Sequence, residues 1–446
     1  MPETARANDL HRLPPVDNVR RLQRQLWVAA KRSPERRFHA LYDRIFRSDV
    51  LREAWERVRA NRGAAGVDRQ TLNDVEAYGV ERLLAELQHE LQAGRYRPSP
   101  VRRQEIPKPE GGKRPLGIPT VRDRVTQQAA KLVLEPIFEA DFLPVSYGYR
   151  PKRTATQALE AIRTAFLRGR VWAVECDIRQ YFDSIDHQRL LAALEQRVSD
   201  RRVLKLVRKW LQAGVLAEGV TQETVTGTPQ GGVISPLLAN IFLHALDNAW
   251  VERGHGELVR YADDLVIMCA TRDEAEAALA LVREVLTELG LELHPEKTRI
   301  VDLTVGRDGF DFLGCHFQAR ISGRLLERGI RRYFLQRWPS VRSMKRVRAR
   351  IRELTGRDRS GVKDIRVIIR SLNPILRGWG NYFRSGNAAN KFTQLDGYVV
   401  RRLTGFLLKR YGRFLRPDQY LRWTRAWFEG HGLYRLRGTI RYPGVA

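Results

Sequence analysis

Asp263 and Asp264 stand side by side in LVRYADDLVIMC (258–269), between two apolar runs. Carboxylates among apolar residues are costly unless paired, hydrogen-bonded or bound to a metal. The flanking runs predict a hairpin with the aspartates at or near its turn. A third carboxylate, Asp177, lies in VWAVECDIRQYFDSID (171–186). That segment begins as a strand, with Trp172, Val174, Cys176 and Ile178 on one face and Glu175 and Asp177 on the other. A hairpin tip can sit beside another strand of its sheet. Three carboxylates gathered there would repel unless a cation neutralised them. Hard oxygen ligands from two or three residues, completed by water and phosphate, suit Mg²⁺. Two such ions ~3.5–4 Å apart stabilise the attacking and leaving oxygens of an in-line phosphoryl displacement. An isolated Asp-Asp also suits an ordinary turn, so the surrounding segments decide.

The elements that would hold these residues can be read from periodicity and punctuation. AGRYRPSPVRRQEIPKPEGGKRPLGIPTVRDR (93–124) predicts extended strands joined by a turn at Gly111-Gly112, and Asp123 to Glu139 a helix. SPLLANIFLHALD (235–247) predicts a helix with Ser235 as N-cap, Pro236 first inside, and Leu237, Ile241 and Ala245 at helical spacing. TRDEAEAALALVREVLTELG (271–290) predicts a helix with a Thr271/Glu274 capping box and a closing Gly290. Residues 1 to about 60 read as polar-to-basic helix, clearest in VRRLQRQLWVAAKR, with a glycine-rich loop at NRGAAGVD (61–68). From about 325 the chain reads as basic helices. The expected class is α+β, followed by an α-helical region.

Charge divides the 446 residues unevenly. From Arg320 onward there are 31 Lys/Arg against 7 Asp/Glu; the preceding 319 residues hold 48 against 44. The net charge of +28 points to a polyanionic partner gripped mainly by the C-terminal part. Cys176, Cys269 and Cys315 form no CxxC pair, which argues against a paired-cysteine zinc site and suits a reducing compartment. No apolar run approaches the ~20 residues that span a bilayer, and MPETARANDL lacks the apolar core of a secretory signal. The expectation is a cytoplasmic protein with no membrane partner.

The motifs resemble those of group II intron-encoded reverse transcriptases and maturases. YADD (261–264) resembles the YxDD box, DIRQYFD (177–183) motif A, and TPQGGVISPLLANIFLHALD (228–247) motif B. IPKPEGGKRPLGIPTVRDR (106–124) resembles the fingers segment, and SYGYRPKRTATQAL (146–159) the stretch before motif A. LHPEKT (293–298) and FDFLGCHF (310–317) resemble later palm motifs, and LNPILRGWGNYFR (372–384) the maturase or thumb domain. The likeness covers roughly residues 50 to 440. It implies a right-hand polymerase, fingers and palm, followed by an α-helical thumb/maturase domain. The expected divisions are 1–75 N-terminal helical extension, 76–325 fingers and palm, 326–410 thumb/maturase, and 411–446 a basic tail that weakly matches a DNA-binding segment.

The resemblance implies roles. Asp177 and Asp263 would ligate two Mg²⁺ ions, with Mn²⁺ a substitute, and Asp264 would complete the carboxylate set. Phe182 would lie under the incoming sugar and reject a 2′-hydroxyl. Gln230 would line the nucleotide pocket, with Gly231 and Gly232 allowing the backbone close to template and primer. Lys108 and Arg114 would grip the triphosphate, with Lys113 a rival. Lys297 would protonate the leaving pyrophosphate, or be a surface lysine. In SMKRVRARIREL (343–354), Val347 and Ile351 share one helical stripe, and Lys345, Arg348 and Arg352 another that would contact RNA phosphates, as would Arg377. Trp379, Tyr382 and Phe383 read as stacking platforms or as core.

The implied partners are intron RNA, an RNA template with a DNA primer, dNTPs and target DNA. The implied work is to assist intron splicing and to copy the intron by target-primed reverse transcription. No cysteine- and histidine-paired endonuclease segment follows, so second-strand cleavage is not expected. Alternatives are a retron-like or defence-associated reverse transcriptase, against which the GWGNYF region argues. A non-enzymatic splicing factor is opposed by the intact aspartates. An RNA-dependent RNA polymerase is opposed by Phe182 and the fingers motifs.

Overall fold

The computed structural model describes residues 15–107, 113–217, 220–222, 227, 231–304, 306, 308–321, 326–356, 359, 361–411 and 422–442. The chain begins with helices α1 (Pro15–Arg32), α2 (Tyr42–Ile45), α3 (Ser48–Ala60), α4 (Leu72–Tyr78) and α5 (Val80–Gln92). Strands β1 (Val101–Pro107) and β2 (Lys113–Ile118) follow, then α6 (Val121–Glu139) and α7 (Ala155–Leu167). Next come β3 (Trp172–Asp177), α8 (Tyr181–Ser184), α9 (His187–Glu195), α10 (Arg201–Gln212), β4 (Val215–Ala217) and β5 (Val220–Gln222). The middle of the chain runs through α11 (Ser235–Arg253), β6 (Glu257–Tyr261), β7 (Asp264–Cys269) and α12 (Arg272–Glu288). It continues with β8 (Arg299–Asp302), β9 (Gly309–Phe312), β10 (Cys315–Ile321) and β11 (Tyr333–Pro339). It ends in helices α13 (Val341–Leu354), α14 (Ile365–Phe383), α15 (Ala389–Tyr411) and α16 (Arg425–Gly430).

The contacts group these elements into two compact units. One comprises 1–153, 176–265 and 277–298; the other 154–175, 266–276 and 299–446. In the first, α6 is the central helix. Nearly all its side chains are buried, and α1 and α3 pack on it. Thr120 caps it by accepting from the Asp123 backbone N–H. The buried Asp123 carboxylate in turn accepts from the Tyr96 and Thr120 hydroxyls at 2.6 and 2.7 Å. A sheet of order β2-β1-β4-β5 lies in the same unit, with β1 and β2 antiparallel and Ile106 opposite Arg114. The Gly111-Gly112 turn expected between them lies outside the described residues.

In the second unit, a β11-β10-β9 sheet is antiparallel throughout. On β10 Cys315, Phe317 and Ala319 are buried, and on β11 Leu335, Arg337 and Pro339. The buried Arg337 of β11 reaches Glu160 of α7 at 3.4 Å and the Ser385 hydroxyl at 3.1 Å. Helix α13 buries Met344, Val347, Ile351 and Leu354, and α14 buries Ile365, Ile368, Ile369, Leu372 and Leu376. A further sheet has the order β6-β7-β3-β8, with β3 and β8 antiparallel.

Three local expectations need correction. The chain after 325 is not wholly helical: β11 is a strand whose apolar alternation is obscured by Arg337 and Gln336. Helix α11 begins at Ser235 with Ile234 as its N-cap, and Ala245 is exposed. The Thr271/Glu274 box is half formed. Thr271 accepts from the Glu274 backbone N–H, but the Glu274 carboxylate accepts from the Ala270 backbone and pairs with Arg170.

Candidate active site

The YADD turn is a two-residue connection between β6 and β7, as the apolar runs predict. Ala262 occupies its first position at φ +57°, a left-handed conformation that costs an alanine about 1–3 kcal/mol. Asp263 follows in the turn and Asp264 opens β7. Beside β7 in the sheet runs β3, with Asp177 as its last residue. Asp177 and Asp263 are half-buried and Asp264 is exposed. The sheet thus gives both aspartate-bearing strands neighbouring places.

Asp177 is fixed by the segment carrying Lys297. Ile178 bridges Leu293, the Arg179 N–H donates to the Glu292 carbonyl at 2.8 Å, and the His294 N–H donates to the Asp177 carbonyl at 2.7 Å. The chain then turns, with the Lys297 and Thr298 N–H groups both donating to the His294 carbonyl. This turn returns the Lys297 Nζ to 2.9 Å from the Asp177 carboxylate.

Beyond Asp177, Gln180 takes a left-handed φ of +46° and starts α8. Tyr181 points inward and donates its hydroxyl to the Ala239 carbonyl at 2.6 Å. Burial pushes its phenol well above the usual value, and the charges of Arg260, Asp263 and Asp247 act on it. Phe182 stays half-buried, its ring meeting Tyr181 edge-on at 5.2 Å. Gly227 lies flush against the same turn, where a Cβ would come within 3.0 Å of the Phe182 carbonyl oxygen.

A buried strut, which no sequence motif announces, ties this turn to its surroundings. Arg260 is fully enclosed. Its Nε and Nη2 donate to the two Asp247 oxygens at 2.7 and 2.5 Å. Its Nη1 donates to Asn240 Oδ1 at 3.0 Å and to the Ala262 carbonyl at 3.2 Å. Asn240 Nδ2 donates to the Gly148 carbonyl at 2.8 Å. Gly148 is pressed so closely on the turn that a Cβ there would collide with the Ala262 nitrogen. Burial would raise the Asp247 pKa, but the charge and hydrogen bonds of Arg260 outweigh it and hold the carboxyl below its usual value. Two signals were present: an arginine inside an apolar strand, and Asn240 and Asp247 seven residues apart on one helix face.

Lys108 and Gln230 lie outside the described residues, and of Arg114 only the β2 backbone is described. Lys113 pairs with Glu105 at 2.5 Å. Gly231, at φ +115°, approaches β2: a Cβ there would lie 2.6 Å from the Gly117 carbonyl oxygen. Lys345 and Arg352 are exposed on α13, whereas Arg348 is half-buried over the Tyr398 ring at 5.5 Å. Arg377 is exposed and lies over the Tyr434 ring at 5.3 Å. Of the aromatic trio, Phe383 is core, Trp379 packs on Phe383 and Phe392, and Tyr382 donates to the Leu313 carbonyl. Phe383 is thus core, while Trp379 and Tyr382 are half-buried.

Among the described residues no group of three or more His, Cys, Asp or Glu side chains forms a preformed metal cage. Mg²⁺ in phosphoryl transfer is held by one or two carboxylates with water and substrate phosphates. An open site whose donors are carboxylate oxygens fits that chemistry. No helix among the described residues is long and apolar enough to cross a membrane.

Residues 106–317 match the family model for reverse transcriptase (RNA-dependent DNA polymerase), and 344–427 the group II intron maturase-specific domain. Protein YkfC of Escherichia coli is 36% identical over 66% of this chain and 87% of its own length. Group II intron-encoded protein LtrA of Lactococcus lactis is 40% identical over 47% of this chain and 35% of its own length. An uncharacterized 91 kDa protein in the cob intron of Schizosaccharomyces pombe is 28% identical over 80% of this chain and 52% of its own length. With a reverse transcriptase match that includes YADD and a maturase-specific match later in the sequence, the chain belongs to the group II intron-encoded reverse transcriptases and maturases.

Proposed function

We propose that the protein binds its intron RNA, assists its splicing and copies it into DNA by target-primed reverse transcription. The primer would come from elsewhere than the protein's own cleavage, as from a nascent strand at a replication fork. The observation that supports the polymerase reading best is the placement of Asp177 at the end of β3, beside the strand that Asp264 opens and Asp263 precedes. In this reading Asp177 and Asp263 hold two Mg²⁺ ions and Asp264 completes the set. The bound metal would supply charge neutralisation at the attacking and leaving oxygens.

The protein's own part is positioning, which supplies much of the rate in phosphoryl transfer. The primer 3′-oxygen attacks the α-phosphate of a dNTP paired to the RNA template, and pyrophosphate leaves. Lys297 holds a proton 2.9 Å from Asp177 and donates it to the departing pyrophosphate. Phe182, lifted by the Gln180 turn, closes the floor under the sugar and excludes a 2′-hydroxyl. Lys108, Arg114 and Gln230 hold the nucleotide. The divisions 1–75, 76–325, 326–410 and 411–446 serve as extension, fingers and palm, thumb, and DNA-binding tail. The compartment is the bacterial cytoplasm.

Phe182→Val tests the sugar reading. Relative incorporation of rNTP over dNTP on an RNA template should rise about 10–200-fold, the range a single steric contact provides. Unchanged discrimination would remove Phe182 from the pocket.

A further inference from the structure

Helix α10 carries a basic face within the nearly charge-balanced part of the chain. Val203, Leu204, Leu206, Val207, Trp210 and Leu211 are buried, while Arg201, Lys205 and Arg208 are exposed on the other side. With Lys209, Gln212 and Glu195 of α9 they line a shallow depression of about 400 Å³. Three exposed arginines elsewhere in this unit are paired with carboxylates: Arg52 with Glu81, Arg82 with Glu86, Arg253 with Glu284. Among the described residues, Arg201, Lys205 and Arg208 have no such partner. Lys209 donates to the Tyr96 carbonyl at 2.8 Å, and burial together with the positive charges of Arg97 and Lys205 lowers its pKa. The cations here crowd one another rather than being neutralised.

We propose that this face of α10 is a second nucleic-acid surface, holding an RNA phosphate backbone. It rests on the reading that the protein binds RNA. Seven residues at 1.5 Å rise place Arg201 and Arg208 about 10 Å apart along the helix, the axial span of about three phosphates of one strand. Uncompensated cations around a concave face suit a flexible polyanion, whose bound counterions are released on contact. A protein partner would have to present a matching run of carboxylates in the same depression.

The test is equilibrium binding of the full chain to a structured RNA hairpin, and to a DNA hairpin of the same sequence, across a KCl series. The triple variant Arg201→Gln, Lys205→Gln, Arg208→Gln is compared with Arg52→Gln, Arg82→Gln, Arg253→Gln, which removes the same charge from paired arginines. The α10 variant should lower the slope of log affinity against log salt on RNA by about 2–3, roughly one for each phosphate no longer neutralised. The control slope should fall by less than about half that. An unchanged slope, an equal fall in both variants, or a fall confined to the DNA hairpin would overturn the proposal. Failure of the unaltered protein to bind the RNA hairpin would overturn the RNA-binding reading beneath it as well.

Discussion

Lys297 places its Nζ 2.9 Å from the Asp177 carboxylate. Lys297 is about half exposed, so the pair adds little to stability; exposed pairs contribute about 0–1 kcal/mol. We propose that its worth is catalytic. Lys297→Met should lower the rate of dNTP incorporation about 10²–10⁴-fold, the usual range for a missing general acid. Template–primer affinity and unfolding midpoint should stay unchanged. A variant with the full single-turnover rate would return Lys297 to the surface. The aspartates and Lys297 were legible as residue types at family spacing. The approach of Lys297 to Asp177 was not, because it depends on the His294–Thr298 turn and on pairing beyond the end of β3.

At the scale of elements, the YADD hairpin is held by a strut that no motif names. Arg260→Leu leaves the Asp247 carboxylate buried and unpaired, so it should cost about 3–5 kcal/mol in denaturant unfolding. Adding Asp247→Leu should recover most of that stability, since apolar replacements of a buried pair are often neutral. Polymerase activity should nevertheless stay low in the double variant, because Ala262 and Asn240 are no longer tied together. Full activity there would reduce the strut to a packing device. The pH sign follows from the lowered Asp247 value. Its contribution is complete above the unfolded carboxylate range near pH ~4 and disappears as pH falls through the folded value. The hairpin was legible from the two apolar runs around its turn, and α12 from its capping residues and helical period. Helix α6, also expected as a helix, is instead buried on nearly every side and shows no amphipathic stripe. Strand β11 was not legible, because its buried face carries Arg337 while Phe334 and Trp338 stand on the other, which blurs the alternation. The role of Arg260 was not legible, because an arginine in an apolar strand and the Asn240/Asp247 spacing on a helix do not say that the two meet.

At the scale of the whole molecule, charge separates a nearly balanced first part from a C-terminal part with 31 basic and 7 acidic residues. That asymmetry foretold a polyanion-binding region. It hid the α10 face, where local cations are offset in the count by acidic residues paired elsewhere. Folding sorts charges by neighbour, and a sum along the chain cannot. The central claim is that Asp177, Asp263 and Asp264 form a reverse transcriptase centre. The most direct test is extension of a DNA primer on an RNA template with dNTPs and Mg²⁺, comparing the unaltered protein with Asp263→Ala at matched folding and RNA affinity. The account predicts cDNA from the unaltered protein and a drop of about 10³-fold or more in the variant. A variant that extends the primer as well as the unaltered protein, or a folded, RNA-binding unaltered protein that makes no cDNA, would contradict it.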